Sequence, residues 1–273
     1  MTRLPPWAVG ATGAAAVLAL WWVGAATLLS GIGAAGDGGP GAIPTPWQVL
    51  AQMGADGWGF YWRNAAVTLA EAGAGYLWGN ALALLLAFLV LLVPRLEQLA
   101  TQLAVVSYCL PVVAVGPVIF IVLGPPRSGE SSGTAVALAA LSVFFTTMVS
   151  ALAGLKAADR ACLDIVTVFG GRRIHQLLKV RIVAALPSVL AALKIAAPAA
   201  LLGAILGEYV GGVDRGLGPA MVNAQQTLEV ARVWGVAGAC AALAGSAYAV
   251  LGLLSRFVVP WASGGPGVRV GGL

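Results

Sequence analysis

Charge is what this sequence has least of. Only 9% of its 273 residues are Asp, Glu, Lys or Arg, while 60% are hydrophobic. A soluble domain holds about 25% charged residues, so a water-facing surface cannot be covered here and most of the surface must face lipid. Histidine occurs once, at His175, which excludes a multi-histidine metal site. The three cysteines, Cys109, Cys162 and Cys240, are far apart and odd in number, so they supply no disulfide framework. No Gly-x-x-x-x-Gly-Lys-Ser/Thr stretch occurs, so the chain cannot cradle ATP by that motif. His-Glu-x-x-His is missing too, and no paired acids are expected within the spans, which speaks against an intramembrane enzyme. No cofactor is expected in this chain. The net charge of +5 comes from cations placed between apolar runs, a pattern that specifies topology rather than nucleic-acid binding.

What the sequence does have is apolar length. Six stretches approach the ~20 residues that cross a bilayer: Trp7 to Leu29, Ala72 to Val93, Leu99 to Leu123, Thr134 to Leu155, Leu186 to Gly207 and Val233 to Arg256. The first is too long for the core of a signal peptide and is expected to be retained as a span. The third contains Pro111 and Pro117, which should kink it. With six spans and both termini inside, the inner segments hold Arg3, Arg95, Lys156, Arg160, Arg172, Arg173, Lys179, Arg181, Arg256 and Arg269. The outer segments hold only Arg63, Arg127, Arg215 and Arg232. Ten cations against four select an N-in, C-in topology. The expected fold is therefore an all-α membrane protein of about six transmembrane helices, a single transmembrane domain over 1–273. Residues 30–64 form an outer loop with a short interfacial helix, since Trp47, Trp58, Phe60, Tyr61 and Trp62 cluster there as boundary aromatics do.

The inner segment 156–185 is too polar to span and too long for a turn. Cys162, Ile165, Val166 and Phe169 follow the spacing of one helix face. Gly170-Gly171 then breaks the helix, and a second amphipathic pattern leads to Pro187 at the start of the fifth span. The pattern alone has two explanations: an amphipathic hairpin anchored to acidic membrane lipid, or a docking element for a cytoplasmic partner.

The order of residues resembles the cytoplasmic loop of ABC-importer permeases, the inner-membrane components of binding-protein-dependent transport, with the nitrate/sulfonate/taurine-type permeases as the nearest subgroup. Asp164-Ile165-Val166 stands where that family has Glu-Ala-Ala, Gly170 where it has its Gly, and Leu186-Pro187 at the Leu-Pro end. Phe144-Phe145, Gly154-Leu155-Lys156 and Asp159 resemble its lead-in. Glu208-Tyr209-Val210-Gly211 and Gly216-Leu217-Gly218 resemble the stretch after its fifth span. Pro44-Thr45-Pro46 with Val49, and Pro111 with Ala114, Pro117 and Gly124, resemble its earlier segments. The chain departs from the family at Ile165-Val166, at Ile182-Val183 and at Glu71, where the subgroup has Arg. The resemblance implies a type I importer permease fold in a bacterial inner membrane. It implies a second permease chain, identical or not, two cytoplasmic ATPase subunits that bind ATP and Mg, and an extracytoplasmic substrate-binding protein. It implies transport of a small solute of the sulfonate, taurine or nitrate type. It places ATPase coupling on Asp159, Asp164, Ile165, Val166, Phe169, Gly170 and Gly171. Two other classes stay open: a permease-like subunit that does not itself transport, and a secondary transporter or channel.

Other residues have two readings each. Glu71, at the outer edge of the second span, is a pathway charge or, the favoured reading, an acid that snorkels to the boundary. Lys194 either reaches back to the inner interface or lines the pathway. Asn80 makes an interhelical hydrogen bond in preference to a substrate contact. Pro111 and Pro117 kink a helix to line a pore or to fit its packing. Glu208, with Gly211 and Gly216, is a candidate for docking the binding protein, or Glu208 is an ordinary solvated acid.

Overall fold

The computed structural model describes residues 6–33, 41–126 and 131–262, and every regular element among them is helical. In chain order these are α1 (Pro6–Ala26), α2 (Pro46–Asp56), α3 (Trp58–Leu92), α4 (Glu97–Cys109), α5 (Val112–Leu123), α6 (Gly133–Lys156), α7 (Arg160–Val168), α8 (Arg173–Gln176), α9 (Ile182–Val210), α10 (Leu217–Gln226) and α11 (Val230–Val258). Five helices are long and apolar enough to cross a bilayer, and α4 with α5 forms a sixth candidate bent by 99°.

Contacts along α6 show that the bent pair crosses. Glu97 at the start of α4 pairs with Lys156 at the end of α6. Tyr108 stacks on Phe145 at 4.5 Å. Gly116 of α5 faces Leu138, and Leu123 lies against Gly133, the first residue of α6. From Glu97 to Tyr108 the chain climbs eleven residues while its contacts descend eleven, from Lys156 to Phe145. The pair is thus one broken span antiparallel to α6. The break falls at Leu110-Pro111: Leu110 is extended at ψ 123, as a residue before proline must be, and α5 restarts after Pro111. With that pair, six candidate crossings lie among the described residues.

Two boundaries differ from the sequence reading. The second span begins at Trp58, not near Ala72, so Trp58, Phe60, Tyr61 and Trp62 belong to the 35-residue α3. The short helix of the outer segment is α2, closed by a capping box in which Thr45 accepts the Gln48 amide and Gln48 Oε1 accepts the Thr45 amide, with Pro46 at the first helical position. The second half of the inner loop is no separate hairpin arm. From Arg173 it runs through α8 and one wide π-type turn, Leu177–Arg181, directly into α9, and Pro187 lies inside that helix.

The core is built on α6. In lipid there is no hydrophobic drive between spans, so packing depends on close backbone approach through small residues. A Cβ at Gly75 or Gly79 of α3 would sit 2.4 Å from the Ala139 Cβ or the Ala140 carbonyl oxygen of α6. A Cβ at Gly203 or Gly207 of α9 would sit 2.6 Å from the Ser142 hydroxyl oxygen or 2.3 Å from the Ala135 Cα. Two glycine pairs, each four residues apart, thus clamp α6 from two neighbours. Interhelical hydrogen bonds add to this: the Thr147 hydroxyl of α6 donates to the Asn80 Oδ1 of α3, the bond expected of Asn80, and the Tyr76 hydroxyl donates to the Leu193 carbonyl at 3.2 Å.

On the outer side α2, α3 and α11 are tied at Asp56. Its Oδ1 accepts from Arg232 Nη2 at 2.7 Å and Nε at 2.9 Å and from Gln52 at 2.8 Å, and its Oδ2 accepts the Tyr61 hydroxyl at 3.2 Å. Burial pushes the Asp56 carboxyl up, but the hydrogen bonds from Arg232 and Gln52 outweigh it and hold the group below the usual 3.8.

Two outcomes follow. Gly207→Val should lower the thermal midpoint of the detergent-purified chain, by ~1–3 kcal/mol of stability, because backbone atoms of α6 cannot give way. Gly73→Ala, on an open face of α3, should leave it unchanged or raise it slightly. The depressed Asp56 group contributes stability that is complete above pH 3.8 and lost as pH falls below it. Melting curves of Asp56→Asn should therefore lack part of the acid-side decline of the parent chain.

Candidate functional site

The inner site is the α7 loop. Asp159 caps α7, its Oδ1 accepting the Ala161 amide at 3.0 Å. The two glycines that end the helix do different work. Gly170 has φ +76, which a Cβ would strain, while its surroundings are open. Gly171 has no room, since a Cβ would lie 2.4 Å from the Val166 side chain. Their amides close the helix end by donating to Thr167 O at 2.9 Å and Val166 O at 2.8 Å. Gln176 then bonds Leu163 O and the Thr167 hydroxyl, fixing α8 against α7. Arg181 donates to Leu155 O at 3.3 Å, which joins the start of the loop to its return.

Held this way, α7 turns its apolar residues outward. Ile165 is 56% exposed, Val168 83% and Phe169 86%, and Asp164 is exposed beside them. Val166 is half-buried and serves the turn instead. So Asp164, Ile165 and Phe169 lie on one free surface, whereas Asp159, Gly170 and Gly171 shape that surface without presenting a side chain on it.

The outer side brought a correction. Glu71 does not snorkel and Glu208 is not a solvated loop residue: both are buried, and Glu208 lies within the last turn of α9. Each acid bonds the N-terminus of a helix. Glu71 Oε1 accepts the amide of Ser132, the N-cap of α6. Glu208 Oε2 accepts the Gly218 amide of α10 at 2.6 Å. Helix N-termini carry partial positive charge and unpaired N–H groups, so a carboxylate is well placed there. Thr68 also accepts the Leu217 amide at 2.9 Å, and Asn64 the Gly216 amide at 3.2 Å. Gly216, at φ 150, and Gly218 leave the carboxyl its space: a Cβ on either would fall within 3 Å of it. The Glu-Tyr-Val-Gly and Gly-Leu-Gly segments are therefore two halves of one carboxyl cradle.

Glu71 and Glu208 also lie within reach of one another, and each keeps one buried oxygen, Glu71 Oε2 and Glu208 Oε1, that no N–H or hydroxyl reaches. A contact between two carboxylates contains no donor, so it becomes a hydrogen bond only when one of them is protonated. This corrects the expectation of no paired acids within the spans: the fold brings two buried ones together, from α3 and α9. With Gly211 also buried, Glu208, Gly211 and Gly216 present no surface for docking.

The remaining candidates are dispersed. Lys194 is half-buried in a groove of about 630 Å³ between α9 and α11. Its Nζ stands 5.9 Å from the Tyr248 ring centroid, and among the described residues it has no ion pair. Pro111 makes the break in the third span, and Pro117 lies inside α5. Residues 129–133 spell Gly-x-Ser-x-Gly with Ser131 as its serine, but Ser131 lies at the outer start of α6, whereas the one histidine, His175, bonds the Arg172 amide in the inner loop at the other end. That is no nucleophile site. The sequence reading missed an exposed polar face on α4, formed by Gln98, Thr101 and Gln102. Their i, i+3, i+4 spacing was its signal.

A family model described as binding-protein-dependent transport system inner membrane component matches residues 79–263. A probable ABC transporter permease protein of Haemophilus influenzae is 29% identical over 69% of this chain and 74% of its own length. A formylaminopyrimidine transport permease protein of Halalkalibacterium halodurans is 29% identical over 66% and 70%. A protein of Bacillus subtilis named as a putative aliphatic sulfonates transport permease is 24% identical over 84% and 78%.

If the outer acids act as a protonated pair, Glu208→Gln, which keeps an acceptor for Gly218 and a donor for Glu71, should melt within ~1 kcal/mol of the parent chain. Glu208→Leu strands the Gly218 amide and the Glu71 carboxyl and should cost ~2–3 kcal/mol in the same detergent melt.

Proposed function

The chain belongs to the family of binding-protein-dependent transport system inner membrane components, and from that premise we propose that it is one of two permease chains enclosing the pathway of an ATP-driven importer. As a multi-pass protein of the bacterial inner membrane it supplies the route, and ATP with Mg is bound and hydrolysed by partner ATPase subunits. The observation that supports this reading best is α7: a capped helix on the cationic inner side with Ile165, Val168 and Phe169 exposed together. A helix laid into a groove of a partner by such anchors is a common mode of recognition.

The local bonds give α7 leverage. A push on it reaches α6 through Leu155 and α9 through the continuous turn at Leu177–Arg181. Because α6 and α9 meet with no slack, movement of the loop moves both spans as a body rather than bending one. The Glu97–Lys156 pair brings the broken span into the same unit. ATP-driven approach of two ATPase subunits would thereby tilt two such units and alternate the open side. Substrate would arrive from an extracytoplasmic binding protein. Relatives are named for both a formylaminopyrimidine and aliphatic sulfonates, so the family's substrates extend beyond the sulfonate, taurine or nitrate type.

The test is co-purification. A tagged chain should retain an ATP-binding subunit through mild detergent extraction. Phe169→Asp should abolish that retention, with a melting midpoint within about 2 °C of the parent, because the side chain is exposed and supports no core. Retention unaffected by Phe169→Asp and Asp164→Arg together would refute docking through this loop.

A further inference from the structure

The exposed polar face of α4 has no role so far. Viewed down its axis, α4 has three sides. Ala100 and Ala104 are buried in the core with Met148, Ala151 and Leu155 of α6. Leu99, Leu103 and Val106 form an exposed apolar side. Gln98, Thr101, Gln102, Val105 and Cys109, at i, i+3, i+4, i+7 and i+11, form an exposed side that is mostly polar. Gln98, Thr101, Gln102 and Val105 of this last side, with the adjoining Val106, border a cleft of about 710 Å³, and Cys109 continues the same side one turn beyond it.

The two exposed sides lie at the same depth. Matching Glu97 to Lys156 and Tyr108 to Phe145 puts Thr101 and Gln102 a full turn inside the end of α6, with Cys109 near its middle. A helix lying flat in the headgroup zone also shows one polar and one apolar side, but α4 runs along α6 from its Lys156 end to Phe145 near its middle rather than across that end. Here one side is apolar throughout, as lipid requires, while the other carries two amides and a hydroxyl, whose exposure to hydrocarbon costs several kcal/mol. The polar side meets water. Its chemistry is also specific. Cations and acids appear only at the mouth, as Arg95 and Glu97, and Glu97 is occupied by Lys156. Lys194, the cation within a span, belongs to the separate groove between α9 and α11. Above the mouth the face offers hydrogen bonds of both senses and no fixed charge.

We propose that the Gln98–Thr101–Gln102–Cys109 face of α4 lines the hydrated route, and that it passes a neutral, hydrogen-bonding solute rather than selecting an anion. This rests on the permease reading and adds the substrate class. The amides exchange hydrogen bonds with the solute as it sheds water, and lack of charge keeps any one step from trapping it.

Cys109 is a built-in reporter. In the full complex in lipid vesicles, with Cys162→Ser and Cys240→Ala, it is treated with anionic and cationic methanethiosulfonates of similar size, and modification is read by mass on this chain. A thiol in hydrocarbon neither ionises nor meets a charged reagent. The expected result is labelling within about a hundredfold of the rate at Cys162 in the companion chain retaining only that thiol. After normalisation to free thiol, the anionic and cationic rates should agree within about threefold, less than the effect of one nearby charge. Slower labelling, whether from lipid or from a second copy packed on this face, overturns the hydrated route. A larger preference for the anionic reagent overturns the neutral class. Retention of the ATPase is scored separately: its loss refutes the importer reading, whereas an unreactive Cys109 in a complex that keeps its ATPase refutes only the α4 face.

Discussion

Close backbone contact on α6 is the condition for everything else in this protein. Lipid offers no hydrophobic reward for bringing spans together, so attraction must come from dispersion at short range and from hydrogen bonds made where backbones nearly touch. Gly75 and Gly79 on one side and Gly203 and Gly207 on the other permit that approach. The Asn80–Thr147 bond, the outer acids and the Arg181 bond to Leu155 all depend on the distances so established. The abundance of glycine, which would weaken these helices in water, here sets how near they come.

The two ends of this core are built on opposite plans. At the outer end, acids are buried and spent on helix N-termini, so the polarity there is internal and rigid. At the inner end, the loop is braced by hydrogen bonds beneath but leaves its apolar anchors uncovered. A coupling unit needs this asymmetry: a stiff body that transmits displacement, and a free surface on which displacement is imposed.

Much of this was legible in the sequence, and the reasons for the exceptions are physical. Six crossings and their orientation followed from apolar length and from loop cations, which act on each segment separately. The Gly170-Gly171 stop could be placed because a helix end leaves a local signature. Glu71 and Glu208 could not be paired, since they are 137 residues apart and only the meeting of α3 with α9 brings them together. Seen alone, each acid at a span boundary looked like a group seeking water. The start of α3 was missed because an aromatic cluster suits a helix end as well as a loop at the interface. The polar face of α4 was hidden by averaging, as three polar residues dilute an apolar run without interrupting it.

The break at Leu110-Pro111 has one more consequence. Near the middle of the span, α4 ends and α5 begins, their axes 99° apart. Each half-helix brings its own terminal field to that point: about half an elementary charge of negative sign from the carbonyl end and of positive sign from the amide end. In a straight helix these would cancel along the axis. Bent apart, they leave a fixed dipole in the membrane interior, made of backbone and indifferent to pH. A chain almost without ionised side chains in its spans can thus still present an oriented electric field to whatever passes it.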